Sequence, residues 1–143
     1  MTDVHQVLVA ASFGDAITNE ALGLQRGIRQ RFPGAVSDIF AYHRGPGMDA
    51  IRPLSEYESA TRDGDTVLLF HSSIGEPSMS DFLAARHERT VVRYHNITPA
   101  EWFAPYDPAF ARLLDLGRAQ LAGLRDRTVL AIADSRFNQG ELA

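Results

Sequence analysis

Three of the five histidines in this 143-residue chain follow short apolar runs rich in β-branched residues. His71 and His95 each come directly after such a run, whereas His43 lies two residues beyond the end of another. A neutral imidazole can donate a hydrogen bond to a sugar hydroxyl or act as a base, and a protonated imidazole can bind phosphate. The repeated position favours a functional role for His71 and His95, with ordinary loop histidines as the alternative. His43 is better explained as a surface loop residue.

Five apolar runs predict the strands that must position these histidines. They cover residues 6–11, 35–41, 66–70, 90–94 and 128–133. The first, third and fifth runs are apolar nearly throughout, which is typical of strands covered on both faces, as in a parallel sheet. Helical patterns lie between the runs. The sequence therefore predicts one α/β domain over residues 1–143, a Rossmann-like open parallel sheet of about five strands in the order 2-1-3-4-5 with helices on both faces.

Several residues predict where helices begin. Ser55 and Ser78 are each followed three residues later by an acidic residue, which is the spacing of a capping box. Asp107 precedes Pro108, the combination of an N-cap and a proline in the first helical turn. Ser135 is a further predicted N-cap, and the short helix after it is expected to need more chain or a partner to cover this end.

The candidate site follows from the predicted sheet. In an open parallel sheet, ligands bind outside the carboxyl ends of the strands, at the point where the strand order reverses. The predicted order puts the loop of Gly14 beside His71, with His95 on the next strand. Gly14 precedes a predicted helix N-terminus, where free backbone N–H groups suit a phosphate, and a tight turn explains it equally well.

Residues 95–106 form a loop about twice the usual length at this edge, and it contains Trp102, Phe103 and Tyr106. Long loops at the carboxyl edge often carry ligands. The aromatic side chains suit sugar stacking or a domain interface, and the alternative is that they pack over the edge of the sheet.

Composition excludes several classes of function. The chain has no cysteine and no lysine, which rules out a thiolate nucleophile and a Schiff-base lysine. Its formal charge of −4 disfavours nucleic acid and anionic membrane surfaces as partners. No apolar run approaches the roughly 20 residues of a membrane span, and no signal peptide precedes the first run. A cytoplasmic protein is the default expectation.

Known catalytic motifs are also missing from the sequence. There is no G-x-G-x-x-G, and residues 71–75 do not form a G-x-S-x-G elbow. No acidic residue adjoins His71 or His95, so a metal site is not expected.

Several segments together carry a resemblance to a known family. They are residues 69–75, 92–99, 103–108 and 133–138, with residues 12–21 as a glycine loop and first helix. The most specific part is Tyr-His-Asn-Ile-Thr-Pro at residues 94–99, followed by Pro-Tyr-Asp-Pro at residues 105–108. On these residues the chain resembles the N-terminal half of bacterial glycosyltransferase family 4 enzymes, which have the two-domain GT-B fold. The resemblance covers almost the whole chain but only about the first third of such an enzyme.

The resemblance implies a retaining, usually metal-independent transferase that moves a sugar from a nucleotide-sugar to an acceptor hydroxyl. The acceptor, a small sugar or a lipid-linked one, lies mainly on the N-terminal domain and the donor nucleotide mainly on the C-terminal domain. His95 is then expected to face the transferred sugar as the catalytic residue. Gly14 and Asp15 are expected to approach the donor diphosphate. The expected substrate-binding residues are His71, Ser72, Asn96, Thr98, Trp102, Ser135 and Arg136.

The chain departs from this family in having no C-terminal donor-binding domain and no last strand of the usual N-terminal domain. It is therefore expected to be inactive alone, and to self-associate or to pair with the missing domain through residues 128–133. The nucleotide-sugar is expected as a co-substrate, with no tightly bound cofactor and no metal. Two alternatives remain open: a non-catalytic α/β module that recruits an acceptor for a separate catalytic subunit, and a flavodoxin-like nucleotide-binding protein.

Overall fold

The computed structural model describes residues 1–61 and 65–143, which form an open parallel sheet with helices on both faces. The described strands are β1 (Asp3–Ala11), β2 (Ile39–Arg44), β3 (Arg52–Pro53), β4 (Thr66–Ser72), β5 (Arg89–Tyr94) and β6 (Thr128–Ala133). The described α-helices are α1 (Ala16–Arg31), α2 (Tyr57–Ala60), α3 (Pro77–Ala84), α4 (Pro108–Gly123) and α5 (Arg136–Glu141). The predicted α/β, Rossmann-like class is confirmed.

The strand order is β3-β2-β1-β4-β5-β6, with every neighbouring pair parallel. The five predicted strands lie in the predicted order. The expected number of about five is corrected to six, because Arg52–Pro53 adds a strand outside β2. Two residues containing a proline give no apolar run or alternation, so the sequence pattern could not reveal this strand.

Two apolar cores cover the two faces of the sheet. The larger contains Val7, Phe70 and Val92 from the strands, with Met79 and Leu114 from α3 and α4. The smaller packs beneath α1 and contains Leu8, Ala21 and Ile39. Side chains two residues apart along a strand share a face, so Gln6 lies on the face of Leu8 and His71 on that of Leu69. These two polar side chains meet beneath α1.

Helix starts are only partly as predicted. Asp107 accepts a hydrogen bond from the Phe110 amide at 2.9 Å, and Ser135 caps α5, so both predicted N-caps are confirmed. Ser78 lies inside α3 instead of capping it, because the Glu76 carboxylate accepts from the Met79 amide.

Ser55 does not begin an α-helix either. It lies within the 3-10 turn Leu54–Glu56, whose start at Pro53 has no side-chain cap. The spacing of a capping box is therefore an unreliable signal in this part of the chain.

β6 is the edge strand beside β5, and much of its apolar surface is uncovered. Val129 is 62% exposed, Leu130 53% and Ile132 39%. At the opposite edge of the sheet, the two-residue strand β3 pairs with β2 and so covers part of its edge. None of the helices in the described residues is long and apolar enough to cross a membrane.

Candidate functional site

The carboxyl ends of β4 and β5 bring His71 and His95 together. His71 is the sixth residue of β4 and is paired in register with Arg93 of β5, while His95 directly follows β5. The His95 amide donates to the carbonyl of Ser72 at 2.9 Å, which extends the ladder past the end of β5. His71 therefore belongs to the strand itself, not to the loop that the sequence predicts.

The two imidazole rings share a hydrogen bond. His71 Nδ1 lies 2.8 Å from His95 Nε2. Their ring centroids are 5.1 Å apart and their planes differ by only 11°. With the edge nitrogens in contact, these values describe coplanar rings joined edge to edge, not faces in stacking contact.

His71 also contacts β1 on its other side. Its Nε2 lies 2.9 Å from Gln6 Oε1, and Gln6 Nε2 donates to the carbonyl of Ala21 in α1 at 2.9 Å. Both Gln6 and His71 are completely buried. A continuous hydrogen-bonded chain thus runs from α1 through β1 and β4 to His95.

His95 faces a second group of charges. Its Nδ1 lies 3.8 Å from a carboxylate oxygen of Glu20 in α1, and the other Glu20 oxygen accepts from Arg93 Nε at 2.5 Å. The His95 side chain is 7% exposed and the Glu20 side chain 33% exposed. Glu20 is therefore the more exposed member of this pair.

The environment keeps both imidazoles neutral. Burial, with smaller effects from His95 and Arg93, lowers the pKa of His71 to about 3. Burial also lowers the pKa of His95 below its ordinary value, although Glu20 acts in the opposite direction. At neutral pH each ring therefore has one N–H and one lone pair.

Gly14 and Asp15 build the turn between β1 and α1. Gly14 has a φ of +77°, which favours glycine, and nothing lies within 4 Å of the position of a Cβ. The Asp15 carboxylate accepts hydrogen bonds of 2.7 Å from both the amide and the hydroxyl of Thr18. Asp15 thus caps α1, and its negative charge lies where the expected diphosphate would approach.

The loop after His95 has a defined backbone shape. Asn96 has a φ of +69°, a conformation that L side chains rarely adopt, and the Ile97 amide donates to the Tyr94 hydroxyl at 3.0 Å. Thr98 is half-buried, whereas Trp102 is 67% exposed at the end of a 3-10 turn. The chain therefore turns at Asn96 directly after His95, and Ile97 packs back into the larger core.

The remaining predicted substrate-binding residues differ in exposure. Ser72 is buried and is the last residue of β4. Ser135 caps α5 by accepting from the Asn138 amide at 3.1 Å, and Arg136 is exposed in the first turn of that helix. All three lie at the carboxyl edge, as the sheet topology predicts.

Three residues of the site were missed by sequence reasoning: Gln6, Glu20 and Arg93. Gln6 and Arg93 interrupt apolar runs, and a polar residue in a strand covered on both faces needs a buried partner. That signal was present in the sequence. Glu20 has no comparable signal, because an acidic residue in the second turn of a surface helix is ordinary.

Within residues 1–61 and 65–143 no group of three His, Asp or Glu side chains could hold a metal ion. Comparison of the chain with protein-family models, curated proteins and solved structures finds no match. The structure defines a class: an α/β protein with a Rossmann-like parallel sheet and a hydrogen-bonded histidine pair at the carboxyl edge of that sheet.

Proposed function

We propose that the chain is the acceptor-side domain of a retaining glycosyltransferase, in which His95 faces the transferred sugar. The observation that supports this most is the position of His95 Nδ1, which lies at the carboxyl edge 3.8 Å from the Glu20 carboxylate. A neutral imidazole nitrogen donates or accepts according to its tautomer, a carboxylate accepts, and sugar hydroxyls can both donate and accept. Binding of a polyhydroxylated ligand is the chemistry that this pair suits best.

The charges around His95 argue against an anion as its direct partner. Glu20, Asp134 and Asp15 each raise its pKa, so all three lie close enough to act on the ring. Arg93 is the opposing cation, and its Nε is already bound by Glu20. A diphosphate would meet repulsion here, which argues against the expected approach of Asp15 to the donor diphosphate and leaves the sugar as the part of the donor that His95 would face.

Exposed aromatic side chains around this edge support a sugar or a second domain as the occupant. Phe13 is 92% exposed, Trp102 67%, Tyr106 87% and Phe137 71%. They follow β1, β5 and β6 at their carboxyl ends. Aromatic faces bind the apolar faces of sugars and also form the centres of domain interfaces.

The alternative function is a non-catalytic α/β binding module. The small exposure of the His95 side chain, 7%, favours it, because a ring that faces substrate is usually more open. The flavodoxin-like alternative has less support, since the three carboxylates that act on His95 would repel a phosphate placed beside this ring.

Saturation-transfer NMR on the 143-residue chain tests these proposals with a panel of methyl glycosides and of free nucleoside diphosphates. We expect transfer to one or more glycosides, and loss of it in Trp102→Ala and in His95→Ala. His43→Ala, which removes an exposed histidine of β2, is the matched control and should change nothing.

Transfer to the nucleotides alone would contradict the proposal. Glycoside binding that survives in His95→Ala would favour the binding module, because such a module does not need the ring that faces the reacting sugar.

A further inference from the structure

The direction of the hydrogen bonds beneath α1 can be worked out from one carbonyl group. The Ala21 carbonyl only accepts, so the Gln6 amide nitrogen must be the atom that faces it, at 2.9 Å. The orientation of the amide group is thereby fixed. Gln6 Oε1 must then be the atom that faces His71, and it too can only accept.

The same reasoning continues through the two rings. His71 Nε2 must carry a hydrogen to donate to Gln6 Oε1, which leaves Nδ1 of the neutral ring as an acceptor. His95 Nε2 lies 2.8 Å from that acceptor and must therefore carry its own hydrogen. In a neutral His95 the remaining nitrogen, Nδ1, then has a lone pair.

We propose that Gln6 and His71 are positioning residues that hold His95 in the Nε2–H tautomer, so that its Nδ1 lone pair is presented to a ligand hydroxyl. Neither residue touches the ligand, because both are completely buried behind His95. The assignment of the tautomer depends on geometry alone, whereas the claim that a sugar hydroxyl donates to His95 Nδ1 rests on the proposed function.

Several groups face His95 from the elements packed around it. Glu20 lies on α1, Arg93 on β5, Asp15 before α1 and Asp134 after β6, and all four act on its pKa. His71 contacts it from β4. Nδ1 and the nearer Glu20 oxygen are two acceptors 3.8 Å apart with no hydrogen between them. Such a pair is stabilised by a ligand that donates to both, as adjacent hydroxyls of a sugar do.

Protonation would reverse this preference. A second hydrogen on His95 Nδ1 would point at Glu20 and turn the acceptor pair into an ion pair. Burial lowers the pKa of His95, so the lone pair is retained at neutral pH. A hydroxyl ligand is therefore expected to bind less tightly as the pH falls through the pKa of His95.

The test is long-range proton–nitrogen NMR of the whole chain labelled with nitrogen-15 at its five histidines, recorded from pH 8 to pH 4.5. We expect both His71 and His95 to be Nε2–H tautomers at pH 8, with His95 gaining its second proton on Nδ1. The exposed side chains of His43 and His87 provide comparison signals outside the site. An Nδ1–H tautomer of either ring, or an even mixture, would overturn the proposal.

Gln6→Met tests whether Gln6 selects the His95 tautomer, because methionine has a similar shape but no strong hydrogen-bond acceptor. We expect His95 in this variant to become a mixture of tautomers, while Gln30→Met on the exposed side of α1 keeps the wild-type spectrum. An unchanged His95 tautomer in folded Gln6→Met would contradict the role of Gln6. The spectrum of the wild-type chain decides the tautomer even where Gln6→Met does not fold.

Addition of methyl glycosides separates this inference from the proposed function. If Nε2–H tautomers are present but the His95 Nδ1 resonance does not respond to any glycoside, the proposed function fails and the assigned tautomer stands. If the glycosides bind but the tautomers differ, the inference fails and the proposed function stands.

Discussion

Gly75 and Gly117 form a direct backbone contact between the loop after β4 and helix α4. A Cβ on Gly75 would lie 2.5 Å from the Gly117 nitrogen and 2.6 Å from the Leu113 carbonyl oxygen. The Gly75 amide also donates to that carbonyl at 2.9 Å. This contact anchors α4 against the loop that leaves His71 and Ser72.

Gly75→Ala should therefore destabilise the fold. Backbone atoms must move to admit the methyl group, and overpacking of this kind costs about 1–3 kcal/mol. The measurement is the free energy of unfolding in urea. Gly27→Ala is the matched control, since nothing beyond the local backbone of α1 lies within 4 Å of where its Cβ would be, and alanine stabilises a helix interior by about 0.5–1 kcal/mol. Equal effects of the two substitutions would contradict the close contact.

The free energy of unfolding should decrease as the pH is lowered below about 6.5, because the folded state keeps His71 neutral. The folded state holds this ring neutral with a pKa of about 3, against 6.5 for the ordinary group, so the unfolded chain binds the proton first. Each such group gives a slope of about 1.4 kcal/mol per pH unit between its two pKa values. Buried His5 and His95 have pKa values shifted in the same direction and add to the slope.

His71→Asn should make this pH dependence shallower between pH 6 and pH 4, as followed by urea unfolding at a series of pH values. His43→Asn removes an exposed histidine and should leave the wild-type slope. The same slope in wild type and His71→Asn would show that His71 is not held neutral.

His95→Ala should lower both activity and stability. Under the proposed glycosyltransferase function, loss of one hydrogen bond to developing charge is expected to reduce kcat and kcat/KM together by roughly 10- to 150-fold. The substitution should also destabilise the fold, because the His95 side chain is only 7% exposed and its removal leaves the buried His71 Nδ1 unpaired.

We expect His95→Ala to cost about 1–3 kcal/mol in the free energy of unfolding, with a fold that still forms. The check is urea unfolding beside a donor-consumption assay. Full activity at unchanged stability would reduce His95 to an ordinary loop histidine.

The edge of β6 should cause self-association. No charged or proline residue interrupts Thr128–Ala133, and edges of this kind pair with a second strand. Light scattering should show a mass that rises with concentration above the 15.8 kDa of one chain. Leu130→Glu should restore the monomer, whereas Phe13→Ser, at the 92% exposed ring after β1, should not. A monomer at all concentrations would contradict self-association through β6.

The sequence predicted the parts of the fold that depend on apolar runs. Parallel strands covered on both faces leave continuous runs, and the order expected for the five strands is a common one among doubly wound sheets. β3 was missed because its two half-buried residues leave no apolar pattern in the sequence. The start of α3 was misplaced because Glu76, and not Ser78, accepts the hydrogen bond from a free amide in the first turn, that of Met79.

The candidate site was less predictable. Its position at the carboxyl edge follows from topology, but the contacts of His71 with Gln6 and His95 span 65 and 24 residues of sequence. Such contacts depend on how the strands pair and on which face of the sheet each side chain occupies. A shift of one residue in the pairing of a strand would move its side chains to the opposite face.

The most direct test of the proposed function is the location of saccharide binding on the folded chain. Backbone amide shifts recorded during titration with the methyl glycoside that binds best would show it. We predict that the largest changes occur at Gly14, His95, Asn96 and Trp102, at the carboxyl edge of the sheet. Changes confined to the uncovered face of β6, or no saturable change with any glycoside, would contradict a sugar-binding site at His95.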